Sequence, residues 1–164
     1  MKRFTAFVLA ALLGAGLAQA QKKNDEQAVG EVIQKLFKAM ELGDSVMARN
    51  CFAGEVTSAT VFKDKSGNTK IERDTSVDDF IKAIGSPHGQ TWYEEIWNLQ
   101  IRVDQDFAQA WCDYAFYLGK NFSHCGVDAL QLYRINGEWK IFHLADTRRK
   151  SGCEIPAEIL KKHE

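Results

Sequence analysis

Three side chains that can do chemistry lie close together in the segment NFSHCGVDAL, residues 121–130. They are His124, Cys125 and Asp128. Imidazole, thiol and carboxyl groups bind metal ions or transfer protons, and a cysteine can also form a disulfide. The segment has the alternation of a β-strand, in which neighbouring side chains point to opposite faces. His124 and Cys125 should therefore point apart, which disfavours one zinc site shared by both, because zinc ligands must converge.

The first twenty residues, MKRFTAFVLAALLGAGLAQA, have the three regions of a secretory signal peptide. Lys2 and Arg3 precede an apolar run, and Ala18-Gln19-Ala20 is a small-x-small cleavage site. The apolar run is shorter than the ~20 residues that cross a bilayer. We predict a cleaved signal peptide, residues 1–20, followed by one domain, residues 21–164, that is periplasmic or secreted and has no stable membrane anchor.

Export would place all four cysteines in an oxidising compartment, where an even number favours disulfides over a metal cluster. Four cysteines allow three pairings. The preferred pairing joins Cys125 to Cys153, which would hold the C-terminal tail against the sheet, and Cys51 to Cys112. The alternative is two free, buried thiols that act as small apolar side chains.

Charge and motif content exclude several classes of function. The 164-residue chain has a formal net charge of −1 with both signs interspersed, so nothing indicates binding to nucleic acid or a membrane surface. The basic run TRRK, residues 147–150, is short enough to be a solvated strand end. The chain contains no Gly-x-Ser-x-Gly, no HExxH and no glycine-rich phosphate loop. We predict neither a metal nor a cofactor; the alternative is a carboxylate–imidazole metal site formed by Asp113, Asp128 and His143.

The elements that must position these side chains begin with helices. Asn24 and Gln27 have the spacing of a capping box, and the apolar spacing after them predicts a helix that ends near Gly43. Asp44 is expected to cap a short second helix. A third helix is expected to begin with a capping box at Ser76 and to end at Gly85.

Strands follow the helices. Residues 55–62 are rich in β-branched side chains, and from Trp92 onward the apolar period changes to two. Long strands are predicted at 107–118, 123–135 and 138–147, with Asn136-Gly137 forming a tight hairpin between the last two. Helices followed by an antiparallel sheet form an α+β domain.

The chain resembles a known family at this level of detail. The element order, together with the closing segment YAFYLGKNFSHCGVDALQLYRINGEWKIFHLADTRRKSGC (residues 114–153), is similar to the nuclear transport factor 2-like superfamily and its branch of putative lumazine-binding proteins. The resemblance implies a cone-shaped fold, in which a strongly curved antiparallel sheet packs on three N-terminal helices and encloses a pocket. It also implies a homodimer. It implies no single chemistry, because this fold hosts several classes of enzyme and pure binding modules.

Two hairpin registers place the candidate residues on the sheet. A four-residue loop at 119–122 would pair Asp113 with Asp128, and a two-residue turn at Asn136-Gly137 would pair Leu130 with His143. Both registers give one polar face, which carries Trp111, Asp113, Tyr117, His124, Asp128 and His143. A slip of one residue would move every side chain to the other face.

This polar face leads to three hypotheses of function. In the first, the pocket binds a small organic molecule, aromatic or apolar, through Trp97, Trp111, Asp113, Tyr117, His124, Asp128 and His143. In the second, the protein is a lyase or isomerase that uses Asp113 and His143 as an acid–base pair. In the third, the sheet face is an interaction surface for a second copy or an exported partner.

The family resemblance invites a comparison with ketosteroid isomerases, and this comparison limits the enzymatic hypothesis. Their carboxylate base would fall near Thr60, and the first predicted helix contains no counterpart of their tyrosine. Their mechanism is therefore not carried over. Glu95, between Tyr93 and Trp97 on the apolar face of its strand, is the one acid there that could be buried with a raised pKa; the alternative is an edge position that reaches solvent.

Overall fold

A computed structural model describes the backbone of residues 4–164 and the side chains of residues 21–164. The predicted signal peptide, residues 1–20, lies outside the part of the chain whose side chains are described, so its cleavage stays a prediction. Among the described residues, none of the helices combines the length and apolar character that a membrane crossing requires.

Helices and strands follow the predicted α+β order. The helices of the described chain are α1 (Phe4–Leu42), α2 (Ser45–Arg49), α3 (Asp78–Gly85) and α4 (Ala157–Lys162). The strands are β1 (Phe52–Lys63), β2 (Thr69–Asp74), β3 (Trp92–Asp104), β4 (Phe107–Leu118), β5 (Asn121–Ile135) and β6 (Glu138–Arg148). The C-terminal helix α4 is an addition to the three helices that the sequence predicted.

Helix α1 is longer than predicted. It runs through Asn24 without a break, so the predicted capping box is wrong, and Gln27 instead donates a hydrogen bond to Glu31 at 2.9 Å. The Ala- and Leu-rich leader has a high helix propensity, so nothing ahead of Asn24 ends the helix. The C-terminal end is as predicted, because Gly43 adopts a φ of +68°, the left-handed conformation that terminates many helices.

The other two predicted helices differ in how they are capped. Asp44 caps α2 as expected, since its carboxylate accepts a hydrogen bond from the Met47 backbone N–H at 2.8 Å. At α3 the N-cap is Val77, so the capping box predicted at Ser76 does not form. The Ser76 hydroxyl instead accepts from the Asp78 N–H at 3.0 Å.

The six strands form one sheet in the order β2-β1-β6-β5-β4-β3. The expected antiparallel pairing holds except between β1 and β6, which run parallel. We call the face of the sheet toward α1 and α3 the inner face, and the opposite face, which carries α4, the outer face. The core lies on the inner face, where Val29, Ile33 and Leu36 of α1 are fully buried together with apolar side chains of the sheet.

A β-bulge displaces the predicted register of β4 on β5. Leu118 pairs with Asn121, so the turn contains two residues instead of four, and the register then shifts by one at Ser123. As a result Asp113 lies opposite Val127, and Asp128 lies opposite Cys112. The predicted pairing of Asp113 with Asp128 is wrong.

A second bulge lies between β5 and β6. The hairpin at Asn136-Gly137 is confirmed, with φ values of +52° and +82°, and it sets the register as far as Leu132 opposite Ile141. Beyond that point His143 lies opposite Gln131. The predicted pairing of His143 with Leu130 is therefore wrong, because Phe142 adds one residue to β6.

A third bulge lies in β3 at Asn98, whose φ is +52°. After it, Leu99, Ile101 and Val103 face the core, as predicted for the odd-numbered positions. Before it, the even-numbered residues Trp92, Glu94 and Ile96 face inward instead. Tyr93 and Trp97 consequently lie on the outer face.

Candidate functional site

A cavity of about 260 Å³, which we call the cone pocket, lies between the inner face of the sheet and helices α1 and α3. One wall is apolar and consists of Leu36, Phe37, Met40, Phe80, Trp92, Phe116 and Leu144. The other wall is polar and consists of Glu94, Tyr114, His124, Asp128, Asp146 and Arg148. The bulges in β3 and β5 bring the polar side chains to this side of the sheet.

Asp128 is the most deeply buried acid of the pocket. Its side chain lies on β5 directly opposite Asp146 of β6, and only 4% of the residue is exposed. Burial, with a smaller contribution from the nearby Asp146 carboxylate, raises the pKa of Asp128 to about 8. At neutral pH most molecules therefore carry a protonated Asp128.

Glu94 lies close to the same pair of aspartates. Burial raises the pKa of Glu94 well above its ordinary value, and the charges of Asp128 and Asp146 raise it further. A protonated carboxyl both donates and accepts a hydrogen bond. Asp128 thus presents a neutral hydrogen-bonding group to the interior of the pocket, and the raised pKa of Glu94 favours its neutral form as well.

Asp146 is held differently from its two neighbours. Its carboxylate accepts hydrogen bonds from the Thr60 hydroxyl at 2.5 Å and from Nε of Arg148 at 2.7 Å. The Tyr114 hydroxyl lies 3.2 Å from the same carboxylate and 2.9 Å from the Thr147 carbonyl oxygen. Burial raises the pKa of Tyr114, so its hydroxyl remains a neutral donor.

His124 contributes a neutral imidazole. Burial and, to a smaller extent, the charge of Arg148 lower the pKa of His124 to about 4. Its ring lies against two aromatic rings of β4, with centroid distances of 5.7 Å to Tyr114 and 5.2 Å to Phe116. At neutral pH the imidazole is uncharged and can accept a hydrogen bond.

These groups give the pocket the chemistry of a neutral, polar recognition site. The protonated Asp128, Glu94 with its raised pKa and the neutral imidazole can bind the polar edge of a planar molecule, while the aromatic wall can stack on its face. The same groups can transfer protons near neutral pH. No group of three or more His, Cys, Asp or Glu side chains in the described part of the chain is arranged to hold a metal ion.

A family comparison agrees with this architecture. Residues 24–143 match the family described as "Putative lumazine-binding". The chain belongs to this family. No curated protein matches the chain. The resemblance to the nuclear transport factor 2-like superfamily and to its lumazine-binding branch is therefore confirmed.

Solved structures of low sequence identity share the fold of this lumazine-binding-like domain. The beta subunit of a putative aromatic-ring-hydroxylating dioxygenase from Novosphingobium aromaticivorans aligns with a TM-score of 0.64 at 11% identity, over 79% of this chain and 92% of its own. An NTF2-like protein of unknown function from Pseudomonas putida KT2440 gives 0.62 at 14%, over 82% and 97%. A putative dehydratase of the NTF2-like family from Streptomyces avermitilis gives 0.58 at 14%, over 79% and 99%. These similarities establish the cone-shaped fold.

Only two of the predicted ligand-binding residues line the cone pocket of this lumazine-binding-like domain, namely His124 and Asp128. Trp111, Asp113 and His143 lie on the outer face. Trp111 is 53% exposed there, and Asp113 accepts a hydrogen bond from the Asn98 amide at 2.8 Å. Nδ1 of His143 lies 2.7 Å from the Thr57 hydroxyl.

The structure also separates the proposed acid–base pair. Asp113 lies opposite Val127 and His143 lies opposite Gln131, so the two are four register positions apart with a strand between them. Neither side chain faces the cone pocket. An acid–base pair of Asp113 and His143 inside the pocket is therefore wrong.

The remaining two predicted residues, Trp97 and Tyr117, are covered by the C-terminal tail. Tyr117 is buried on the outer face, and its ring stacks on His163 with centroids 3.8 Å apart. Glu95, the candidate for a buried acid, lies half-buried on this face and forms an ion pair with Lys162 at 2.8 Å. Its neighbour Glu94 is the acid that faces the cone pocket.

Sequence reasoning missed Glu94, Tyr114, Asp146 and Arg148 as pocket residues. The signal for Glu94 was its place between Trp92 and Ile96, two apolar residues at the spacing of one strand face. For Asp146 and Arg148 the corresponding signal was the apolar Leu144, because residues two and four positions after it lie on the same face of the strand. The signal for a change of face in β3 was Asn98, since asparagine adopts positive φ more readily than most residues.

One of the two predicted disulfides is present. Cys125 of β5 is bonded to Cys153, with Cα atoms 6.1 Å apart. The predicted bond between Cys51 and Cys112 is wrong, because both are free and buried. Cys51 precedes β1 and Cys112 lies on β4, and two strands separate β1 from β4 in the sheet. At ~4.8 Å per strand, this separation exceeds the ~7 Å that a disulfide can bridge.

Proposed function

We propose that this domain binds a small, planar heteroaromatic molecule in the cone pocket. The observation that carries the proposal is the meeting of an aromatic wall with two carboxyls, the buried Asp128 and the partly buried Glu94, whose pKa values are raised by loss of solvation. A buried polar group must find a hydrogen-bonding partner, and an apolar pocket with a few convergent polar groups is the usual form of a small-molecule site.

The hydrogen-bonding groups of the pocket restrict the chemical class of the ligand. A protonated carboxyl presents a donor and an acceptor side by side, which matches an amide-like edge where a ring N–H stands next to a C=O. Fused pyrimidinedione rings such as lumazine carry edges of this kind. The description of the family is consistent with that chemistry.

The size of the pocket sets a further limit. A volume of about 260 Å³ lies just below the ~300–1,000 Å³ of typical ligand sites, which suits one or two fused rings. Trp92 and Phe116, whose centroids are 5.9 Å apart in an edge-to-face arrangement, are the aromatic side chains placed to contact such rings.

Calorimetric titration with lumazine tests the proposal, because the affinity should depend on the hydrogen bonds and the protonation of Asp128. Asp128→Asn keeps a donor and an acceptor in the same shape, so it should bind lumazine with nearly the wild-type affinity. Asp128→Leu removes both and should weaken binding about tenfold or more, because the ring edge loses its partner. Wild-type affinity should fall above pH 8 as Asp128 ionises, whereas that of Asp128→Asn should not.

Asp113→Leu is the matched control, since it makes the same change on the outer face and should leave the affinity unchanged. A wild-type affinity in Asp128→Leu, or its loss in Asp113→Leu, would place binding elsewhere. Failure of lumazine and related pyrimidinediones to bind the wild-type protein would contradict the proposal itself.

A second function, acid–base catalysis of an isomerisation or elimination, is favoured by one observation. The pKa of Asp128, about 8, is close to the pH at which an exported protein works, and this suits a general acid or base. The pair would be Asp128 with the neutral His124, in place of Asp113 and His143. Catalysis predicts turnover that Asp128→Asn abolishes while lumazine binding persists; equal turnover in this variant would exclude it.

We also propose that the domain acts outside the cytoplasm and forms a homodimer. The disulfide between Cys125 and Cys153 supports the first part, because disulfides persist in oxidising compartments. The family resemblance supports the second. The intact mass of protein expressed with its own leader should correspond to a chain that starts at Gln21, and light scattering should give twice that mass. A full-length mass or a monomer would contradict the respective part.

A further inference from the structure

A second and larger cavity adjoins the cone pocket. A groove of about 970 Å³ lies between the β1–β2 hairpin and the end of β6. His124 and Arg148 line both the groove and the cone pocket. The two cavities therefore meet at these two side chains.

Basic side chains outnumber acids in the groove, whose lining is otherwise largely apolar. Its walls carry five basic side chains, which are Lys63, Lys65, Arg148, Arg149 and Lys150. Of its two acids, Glu72 and Asp64, the latter accepts hydrogen bonds from the backbone N–H groups of Ser66 and Asn68 at 2.9 and 3.0 Å and is engaged within its own turn. The whole chain has a formal net charge of −1, so this positive charge is a local feature.

Arg148 stands at the junction of the two cavities with part of its guanidinium free. Its Nε donates to Asp146 at 2.7 Å, and its terminal nitrogens have no acceptor among the described residues. The side chain is 53% exposed. A guanidinium fork of this kind is suited to a phosphate group, which it can bind through two parallel hydrogen bonds.

The two cavities differ in charge: basic side chains outnumber acids in the groove, whereas the pocket has three acids and one arginine, Arg148. Asp146 is an acceptor within the pocket, and Glu94 and Asp128 are acids whose ionised forms would repel an anion. An anionic group attached to the ligand is therefore unfavourable inside the pocket and favourable in the groove. Together the two cavities select a molecule with a neutral ring at one end and a negative charge at the other.

We propose that the ligand of the cone pocket carries a phosphate arm, which passes Arg148 and lies in the groove beside Arg149 and Lys150. This inference rests on the proposed function and specifies its ligand class, a heteroaromatic ring joined to a phosphate through a short polar linker. Under this proposal the run TRRK, residues 147–150, binds the phosphate and is not merely a solvated strand end.

A matched pair of probes tests the arm separately from the ring. The probes are 6,7-dimethyl-8-ribityllumazine and its 5′-phosphate, which differ only in the phosphate. Calorimetric titration at low salt should show about tenfold tighter binding of the phosphate, and about 0.5 M NaCl should remove most of this gain by screening. In the double variant Arg149→Gln/Lys150→Gln the two probes should bind within about threefold of each other.

The charge-matched control is Lys22→Gln/Lys23→Gln, which removes two adjacent exposed lysines from α1 and should keep the full gain. Equal affinities of the two probes for the wild-type protein would overturn the phosphate arm and leave the ring site intact. A gain that persists in Arg149→Gln/Lys150→Gln would also overturn it. If neither probe binds, the ring site fails and the arm fails with it.

Discussion

Asp128 of β5 and Asp146 of β6 lie directly opposite each other, and both line the cone pocket. Asp146 accepts hydrogen bonds from Thr60 and Arg148, while burial raises the pKa of Asp128 to about 8. One acid is thus paired with a cation and the other keeps its proton. The two aspartates pair in the sheet, yet their different surroundings make one a carboxylate and the other a neutral carboxyl group.

The first prediction concerns the pH dependence of stability. Burial raises the pKa of Asp128 from 3.8 to about 8, so the folded protein keeps a proton that the unfolded chain releases. The stability that this proton supplies is complete below pH 3.8 and is lost as the pH rises toward 8. Between about pH 5 and 8 the free energy of unfolding should fall by up to about 1.4 kcal/mol per pH unit for this one proton.

Urea denaturation at several pH values measures this slope. Asp128→Asn should reduce it without abolishing it, because the pKa of Glu94 is raised as well. Asp113→Asn, the same substitution on the outer face, should keep the wild-type slope. A wild-type stability that does not fall over this range would contradict a protonated Asp128.

The second prediction concerns the disulfide between Cys125 and Cys153. It joins residues 28 apart in sequence and fixes the C-terminal tail, whose Ile159 is buried against Ala115 and Tyr117. Cys153→Ser should lower the free energy of unfolding by about 3 kcal/mol, since a loop of this length is freed in the unfolded chain. Dithiothreitol should lower the melting temperature of the wild-type protein and leave that of Cys153→Ser unchanged.

Counting thiols in denaturant gives an independent check. The oxidised protein should contain two reactive thiols, Cys51 and Cys112. A count of zero would mean that these cysteines also pair, and a count of four would mean that the bridge to Cys153 is absent.

The third prediction contrasts two tryptophans. Trp92 lines the cone pocket and stacks on His88 with centroids 4.5 Å apart, whereas Trp111 is 53% exposed on the outer face. Trp92→Ala should weaken lumazine binding about tenfold through lost stacking. Trp111→Ala should change the affinity by less than about threefold. Calorimetric titration of both variants, after their melting temperatures are compared, distinguishes the two faces; the reverse order would mean that the outer face binds the ligand.

The fourth prediction concerns Gly126, which lies opposite Tyr114 on β5. A Cβ at this position would lie 1.7 Å from the Thr147 carbonyl oxygen and 2.9 Å from the Tyr114 ring. Backbone cannot move aside cheaply, so Gly126→Ala should destabilise the fold by about 3 kcal/mol or more. Gly54→Ala in β1, where no atom lies within 4 Å, is the control and should cost about 1 kcal/mol or less. Equal urea midpoints for the two variants would contradict this close approach.

The sequence by itself determined most of the elements and their order, although not β2 or α4. Apolar spacing located the helices, Asp44 and Gly43 marked a start and an end, and Asn136-Gly137 fixed a hairpin, because each of these signals depends only on neighbouring residues. The family followed from the same order of elements. The pairing of Cys125 with Cys153 was also accessible, since Cys153 comes just after the last strand.

Tertiary structure alone decided which side chains meet in the pocket. Side chains of a strand alternate with a period of two, so one inserted residue exchanges the two faces for the rest of that strand. Such insertions at Asn98, Ser123 and Phe142 moved Asp113 and His143 to the outer face and brought Glu94 to the inner one. A bulge is set by how a strand pairs with its distant neighbour, and that pairing is not written in the local sequence.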